Sequence, residues 1–181
     1  MRIGLVSDTH VPSQLTELPP KLLEELRGVD AILHAGDLVS IDVLDLLNAI
    51  APTTAVAGNM DPEESVRILG REKVIGLDGR TIGLKHGDQS RSLQDRYIGL
   101  SYDAPEFELF FQAMAARLPD AEIIVFGHFH APLIRRWHDR LFVNPGAVAP
   151  SHGRSSLGVL TLEASGAEVR IVDLQTTPSA G

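Results

Sequence analysis

The chain has 181 residues, a formal net charge of -8 and no cysteine. This length suits one domain with a substantial core, and we expect residues 1–175 to form it, followed by a flexible tail at 176–181. The lack of cysteine excludes disulfides, thiolate zinc sites and a cysteine nucleophile. The acidic balance argues against a general nucleic-acid binder, which usually has a basic surface.

The first ten residues, MRIGLVSDTH, predict a strand of the mature fold and not a signal peptide, because the apolar run is short and an aspartate follows it. No apolar stretch approaches the roughly 20 residues that a membrane span requires. We therefore expect a cytoplasmic protein without a membrane segment, and the sequence leaves homo-oligomer formation open.

The first half of the chain alternates between predicted strands and helices. Strands are expected at 2–7, 31–35 and 54–57, and the helices between them at 15–28 and 41–50. In the second half, Asp78-Gly79 predicts a hairpin, and a helix is expected over 105–118. Further strands are predicted at 122–126, 132–136, 141–143, 156–163 and 167–174, with a loop or short helix over 87–104. A parallel half and an antiparallel half predict two sheets packed face to face, with helices outside.

Four short polar clusters each follow an apolar run. They are Asp8-Thr9-His10, Gly36-Asp37, Gly58-Asn59 and Gly127-His128-Phe129-His130. Because open α/β sheets bind ligands beyond the carboxyl ends of their strands, we expect strands 2–7, 31–35, 54–57 and 122–126 to share one parallel sheet. His86 and the segment after Val143 are expected to reach the same crevice from the second sheet.

The side chains of these clusters, with His86, provide seven oxygen and nitrogen donors. They belong to Asp8, His10, Asp37, Asn59, His86, His128 and His130. A mixture of carboxylate, amide and imidazole groups predicts a metal site with two ions.

Each residue also has a simpler interpretation. Asp37 could cap a helix, Asn59 could form a turn before Asp61-Pro62, and His86 could merely end a strand. His34 lies inside an apolar strand, which favours a core histidine or a partner of a ligand. These simpler interpretations can explain each cluster separately. They do not explain why four clusters occur in this order and why each of them follows an apolar run.

In this combination the chain resembles the calcineurin-like metallophosphoesterases, whose pattern is D-x-H, G-D, G-N-H/D, a lone H and G-H-x-H. It is most similar to their small bacterial and archaeal phosphodiesterases, which are related in fold to the retromer scaffold subunit. The likeness runs from Met1 to about Asp173 and includes Val143-Asn144-Pro145-Gly146. It implies a four-layer α-β-β-α sandwich of two mixed β-sheets flanked by helices.

The resemblance also implies roles for the seven donors. Asp37 would bridge two divalent ions; Asp8, His10 and His130 would complete the first site, and Asn59, His86 and His128 the second. Manganese is the expected metal, with iron, nickel or zinc as alternatives. Asp37, Asn59 and His128 would hold a bridging hydroxide and the phosphate, and the hydroxide would attack phosphorus. His152 and Arg154 follow the Asn144-Pro145-Gly146 turn and are candidate phosphate contacts.

Two positions depart from the family pattern. Many members have His after the Asn, placed to protonate the leaving group, whereas this chain has Met60, which cannot donate a proton. We therefore expect slow turnover of substrates with poor leaving groups. The lone histidine is followed by Gly87-Asp88 where small relatives often have Gly-His, which predicts a different substrate selection.

The sequence thus predicts a binuclear metal-dependent phosphoesterase that acts on a small phosphorylated substrate, with a phosphodiester favoured. The first alternative is a phosphomonoesterase acting on a nucleotide or small metabolite. The second is a non-enzymatic, retromer-like scaffold for protein interactions, which the complete ligand set disfavours.

Overall fold

The computed structural model describes residues 1–175, so the tail predicted at 176–181 lies outside the described residues. The ten strands are β1 Arg2–Val6, β2 Ala31–His34, β3 Thr53–Ala55, β4 Glu72–Leu77, β5 Arg80–Lys85, β6 Ile123–Val125, β7 Leu133–Trp137, β8 Arg140–Asn144, β9 Ser156–Glu163 and β10 Gly166–Asp173. The helices are α1 Pro20–Glu25, α2 Asp42–Asn48, α3 Glu63–Leu69, α4 Arg91–Gln94 and α5 Glu108–Arg117, with a 3₁₀ turn at Pro105–Phe107 before α5.

The strands form two mixed sheets of five. In the first sheet the order is β10-β9-β1-β2-β3, and β1, β2 and β3 are parallel to one another. In the second the order is β4-β5-β6-β8-β7, and β5, β6 and β8 are parallel. Each sheet also contains antiparallel pairs. In the first sheet β9 pairs with β1 and with β10, and in the second β4 pairs with β5 and β7 pairs with β8.

Three apolar clusters fill three separate spaces and thereby define four layers. Alternate residues of β1 point to opposite faces: Ile3 and Leu5 lie between the two sheets, and Val6 faces the helices α1 and α2. On β6, Ile123 and Val125 lie between the sheets, whereas Ile124 packs with α5. This confirms the α-β-β-α sandwich of two mixed sheets flanked by helices.

The prediction that four cluster-bearing strands share one parallel sheet is wrong for the last of them. Strands β1, β2 and β3 are neighbours in the first sheet, but β6 is the central strand of the second. The division into a parallel and an antiparallel half is also wrong, because β9 and β10 join the first sheet beside β1. Buried strands of each sheet have similar apolar runs, so sequence pattern alone does not assign a strand to a sheet.

Most predicted elements exist, with shifted ends. The hairpin at Asp78-Gly79 is confirmed by the pairing of β4 with β5. The helix predicted over 15–28 begins only at Pro20, because Pro19 has an extended backbone, as residues before proline prefer. The polar stretch 87–104 contains the single-turn helix α4. None of the helices within residues 1–175 has the length and apolar character that a bilayer crossing requires.

Candidate metal centre

The carboxyl ends of strands from both sheets meet in one crevice. The loop after β1 bonds to the loop after β2, since the Asp8 amide donates to the Gly36 carbonyl at 3.0 Å. The second sheet joins them through His128, whose backbone N–H donates to Asp8 Oδ2 at 3.1 Å. The segment after Val143 arrives as well, because the amide of Ala149 donates to the Asp8 carbonyl at 2.9 Å. His86 and this segment thus reach the crevice from the second sheet, as predicted.

Five of the seven predicted ligands have left-handed backbone conformations. The φ angles are 53° at Asp8, 48° at His10, 57° at Asp37, 70° at His128 and 54° at His130. Asp, Asn and His tolerate this region better than other side chains do, although each still carries some strain. The strain falls where each chain segment leaves its strand and turns its side chain into the crevice.

Two buried carboxylates form the centre of the cluster. Asp8 Oδ1 lies 3.2 Å from His130 Nε2 and 3.8 Å from His10 Nε2. Asp37 Oδ2 lies 3.2 Å from His86 Nε2 and 3.8 Å from His10 Nε2. His86 Nε2 is also 3.9 Å from Asp8 Oδ1. The five side chains therefore aim their ligand atoms at one small volume.

The charges of this cluster shift its protonation equilibria. Burial would raise the pKa of Asp8, but contact with His130 and the charge of His86 outweigh it and lower the pKa to about 2. Burial would lower the pKa of His86, but contact with Asp37 and the charge of Asp8 raise it to about 9. The pKa of Asp37 is likewise lowered, against burial, by His86. In the metal-free protein, the positive charge of the buried His86 imidazolium therefore offsets the negative charge of the buried Asp8 and Asp37 carboxylates.

The donor set fits divalent cations. Two groups have ligand atoms within 4.8 Å of one another: Asp8, His10 and His130 form one, and Asp8, Asp37 and His86 form the other. Asp8 Oδ1, His10 Nδ1 and His86 Nε2 are buried and have no hydrogen bond of acceptable geometry among the described residues. Unpaired buried polar atoms are costly, and bound cations would satisfy Asp8 Oδ1 and His86 Nε2, which face the cluster.

The two remaining predicted ligands, His128 and Asn59, lie outside these two groups of ligand atoms. The ring of His128 lies 5.2 Å from that of His86, measured between centroids, so it borders the cluster. Asn59 is exposed, and its side chain has no hydrogen bond within residues 1–175. Its neighbour Met60 donates its backbone N–H to Asp37 Oδ1 at 2.8 Å, which keeps the Asn59 loop against the cluster. The ligand role of each of the seven residues stays a prediction.

The candidate phosphate contacts His152 and Arg154 are separated. His152 lines a cavity together with His128 and His130. Arg154 lines a different cavity, which it shares with Pro132 and Asp173. Only His152 therefore adjoins the ligand cluster through a common cavity. The substrate-binding role of both residues, and of Asn59, stays a prediction.

His34 is buried in β2 and does not belong to the ligand groups. Its Nδ1 accepts the Gly36 amide at 3.2 Å, and its Nε2 contacts Thr9 Oγ1 at 3.2 Å. Burial lowers the pKa of His34 to about 3, so the ring is neutral. It links the loop after β1 to the loop after β2, which agrees with the expected supporting role.

Sequence reasoning missed three side chains that hold the predicted ligands. Ser7 donates its hydroxyl to Asp8 Oδ2. The Gln94 amide contacts His128 Nε2 at 2.9 Å, which leaves Nδ1 as the free nitrogen of that ring. Asp61 accepts backbone N–H bonds from Asp37, Gly58 and Val39 at 2.9, 2.7 and 2.6 Å. For Asp61, its place two residues after the predicted ligand Asn59 indicates a role beside the site. Nothing in the sequence indicates that Gln94 contacts a ligand.

The fold and the cluster together define a class of protein: an α/β sandwich with a candidate metal centre where strands of both sheets end. A model of the calcineurin-like phosphoesterase superfamily domain matches residues 1–166. The chain therefore belongs to this superfamily, as its motifs predicted.

Similarity to two archaeal proteins extends over nearly the whole chain. The chain is 32% identical over 176 residues to a probable metallophosphoesterase of Methanothermobacter thermautotrophicus, covering 95% of this chain and 92% of that protein. It is 24% identical over 176 residues to a phosphodiesterase of Methanocaldococcus jannaschii, covering 90% and 94%. Both names support a phosphoesterase.

Among solved structures, the chain is similar to a Vps29 variant from Entamoeba histolytica. The TM-score is 0.69 and the identity 23%, with 96% of this chain and 99% of that chain covered. At this identity the likeness concerns the fold alone.

We expect Asp61→Ala to lower the free energy of unfolding by about 3–5 kcal/mol, because three backbone N–H groups would lose their acceptor. Urea denaturation of metal-free protein measures this. Asp120→Ala is the matched control, since Asp120 is exposed and its loss should change stability by less than about 0.5 kcal/mol. Equal stability of the two variants would contradict the role given to Asp61.

The metal-free protein should also lose stability in alkali. Because the pKa of His86 rises from 6.5 to about 9 on folding, its contribution is fully present below pH 6.5 and disappears as the pH passes through 9. The pKa of His130 is raised as well, chiefly by Asp8, and adds to the same trend. We expect the thermal midpoint of chelator-treated protein to fall over this interval, and His86→Gln to flatten the fall. An unchanged slope in that variant would contradict the assignment.

Proposed function

We propose that this protein is a binuclear metal-dependent phosphodiesterase. One observation carries the proposal: two buried carboxylates and three imidazoles aim their ligand atoms at one another over 3.2–3.9 Å, and two of these atoms, Asp8 Oδ1 and His86 Nε2, are buried without a hydrogen bond among the described residues. Such an arrangement is costly unless cations bind there. Membership of the calcineurin-like phosphoesterase superfamily supplies the reaction class.

In this proposal Asp37 would be a ligand of both ions. Asp8, His10 and His130 would hold the first ion, and Asn59, His86 and His128 the second. These oxygen and imidazole donors suit manganese, iron, nickel or zinc, and we expect manganese. Such ions would supply Lewis acidity, activating a water as nucleophile and neutralising charge on the phosphate.

The protein's own contribution is to hold ionised, oriented ligands. Asp8 is fixed by the Ser7 hydroxyl and the His128 amide, and its low pKa keeps it ionised near neutrality. His86 Nδ1 donates to the Ala35 carbonyl at 2.8 Å, which turns Nε2 toward Asp37. Rigid ligands fix the position of the reacting groups before substrate binds.

A diester is favoured over a monoester by the lining of the cavity beside the centre. No Lys or Arg of the described chain lines the cavity that His128 and His130 share. A monoester carries a second negative charge that a cationic side chain would stabilise, whereas a diester carries one. The relative from Methanocaldococcus jannaschii, which bears the name phosphodiesterase, agrees with this choice.

Turnover of two chromogenic substrates tests the proposal. We expect manganese-loaded protein to hydrolyse bis(4-nitrophenyl) phosphate with a kcat/KM at least ~10-fold above that for 4-nitrophenyl phosphate. Asp37→Asn should lower it by at least ~100-fold and reduce the bound manganese, since one carboxylate serves both ions. Asp120→Asn, at an exposed site, should change neither.

The alternatives predict other outcomes. A preference for 4-nitrophenyl phosphate would favour the phosphomonoesterase. Absence of turnover with manganese, iron, nickel and zinc alike would favour the protein-interaction scaffold. Parent-like manganese content and turnover in Asp37→Asn would refute the bridging role.

Met60 leads to a second prediction. Its side chain is 56% exposed, so a histidine would fit there without displacing the core. We expect Met60→His to raise turnover of a diester with an alkoxide leaving group more than that of a nitrophenyl diester. The reason is that general acids contribute about 10²–10⁴-fold, and basic leaving groups need them most. Equal gains on both substrates would show that protonation is not limiting.

A further inference from the structure

A cavity of about 450 Å³ opens directly beside the metal-ligand candidates. Its near end is formed by His128 and His130, which belong to the ligand set. Its far wall is the segment 98–102, between α4 and the 3₁₀ turn. The volume falls within the ~300–1,000 Å³ that small-molecule sites occupy.

Apolar and aromatic side chains make up much of the lining, and the polar side chains in it are His128, His130, His152, Ser101 and Ser151. The aromatic part consists of Tyr102, Phe107 and Phe129, and the ring centroid of Phe129 lies 5.7 Å from that of Tyr102 and 5.3 Å from that of Phe107. Ile98 and Leu100 also line the cavity, and they are 50% and 46% exposed. Among the described residues, no Asp, Glu, Lys or Arg lines this cavity. Away from its three histidines, the lining therefore suits a group that carries no charge.

The wall of exposed apolar side chains is held in place at both ends. Tyr97 is fully buried in the aromatic cluster beneath α5. At the other end, the Tyr102 hydroxyl donates to the Ala131 carbonyl at 2.9 Å and accepts from Asn144 Nδ2 at 3.1 Å. Arg135 adds a bond of 2.7 Å to the Tyr102 carbonyl. The cavity is thus formed before a ligand arrives, which lowers the cost of binding.

We propose that this cavity binds one ester group of the substrate, an uncharged aromatic ring, while the phosphate lies at the metal centre. The inference rests on the proposed function, which puts the phosphate beside His128 and His130. An aromatic occupant matches the three aromatic side chains, because rings pack against one another in offset or edge-to-face geometry. The substrate class is therefore a phosphodiester with an aryl or nucleobase-like group, and not a polyphosphate or a sugar phosphate.

Binding of two phosphonates tests this assignment without turnover. Phenylphosphonate and methylphosphonate carry the same anion, and only the first can fill the cavity. Calorimetry on manganese-loaded protein should give a Kd for phenylphosphonate at least ~10-fold lower than for methylphosphonate, since burying a ring removes apolar area from water. The double variant Ile98→Asn/Leu100→Asn should reduce this ratio to less than about 3-fold.

A second double variant, Leu46→Asn/Ile68→Asn, is the matched control. Leu46 and Ile68 are also exposed, at 51% and 61%, and they line no part of this cavity. The control should retain the parent ratio, and both double variants should retain the parent manganese content.

Three results would overturn the inference: equal affinities in the parent, no binding of either phosphonate, or a parent-like ratio in Ile98→Asn/Leu100→Asn. Failure of the proposed function has a different signature. It would leave the phosphonate ratio intact while bis(4-nitrophenyl) phosphate is not hydrolysed with any of the four metals.

Discussion

The constraint on which the rest of this structure depends is the burial of two carboxylates, Asp8 and Asp37, close to each other and away from water. Isolated buried charges are very costly, so each must face positive charge. In the metal-free protein, His86 and His130 supply it, and their pKa values rise accordingly. A divalent ion supplies the same charge more strongly and would release those protons. Metal binding to the cluster would therefore be coupled to the release of protons.

Close contact between the two sheets makes this arrangement possible, and glycine permits it. A Cβ on Gly127 would lie 1.8 Å from Ser7 Oγ and 2.6 Å from Asp8 Oδ2. A Cβ on Gly58 would lie 2.2 Å from Asp37 Oδ1. The glycines of the G-N and G-H-x-H motifs thus let the loop backbones approach the carboxylates. Their role is steric: Gly127, after β6 of the second sheet, approaches Asp8 of the first, whereas Gly58 and Asp37 follow neighbouring strands of the first sheet.

The same packing connects the centre to the proposed substrate cavity. Phe129, between the two ligand candidates His128 and His130, packs its ring against Phe107 and Phe110. The aromatic core beneath α5 thereby fixes the loop that carries both histidines. This one loop carries two ligand candidates and also lines the proposed substrate cavity through Phe129, so the proposed metal binding and the proposed recognition of an organic group would share a support.

The sequence by itself determined the order of the strands, the hairpin at Asp78-Gly79 and the identity of the polar clusters, because these depend on local periodicity and turn chemistry. It did not indicate the helix α3 at Glu63–Leu69. It did not determine that β6 belongs to the second sheet, since buried strands of both sheets have the same apolar pattern. Nor did it identify Asp61 or Gln94. Besides the nearby Gly58, Asp61 binds the amides of Asp37 and Val39, which lie 24 and 22 residues away, and Gln94 contacts His128, 34 residues away. Only tertiary packing decides such contacts, because they form between loops that the sheets bring together and not between neighbours in sequence.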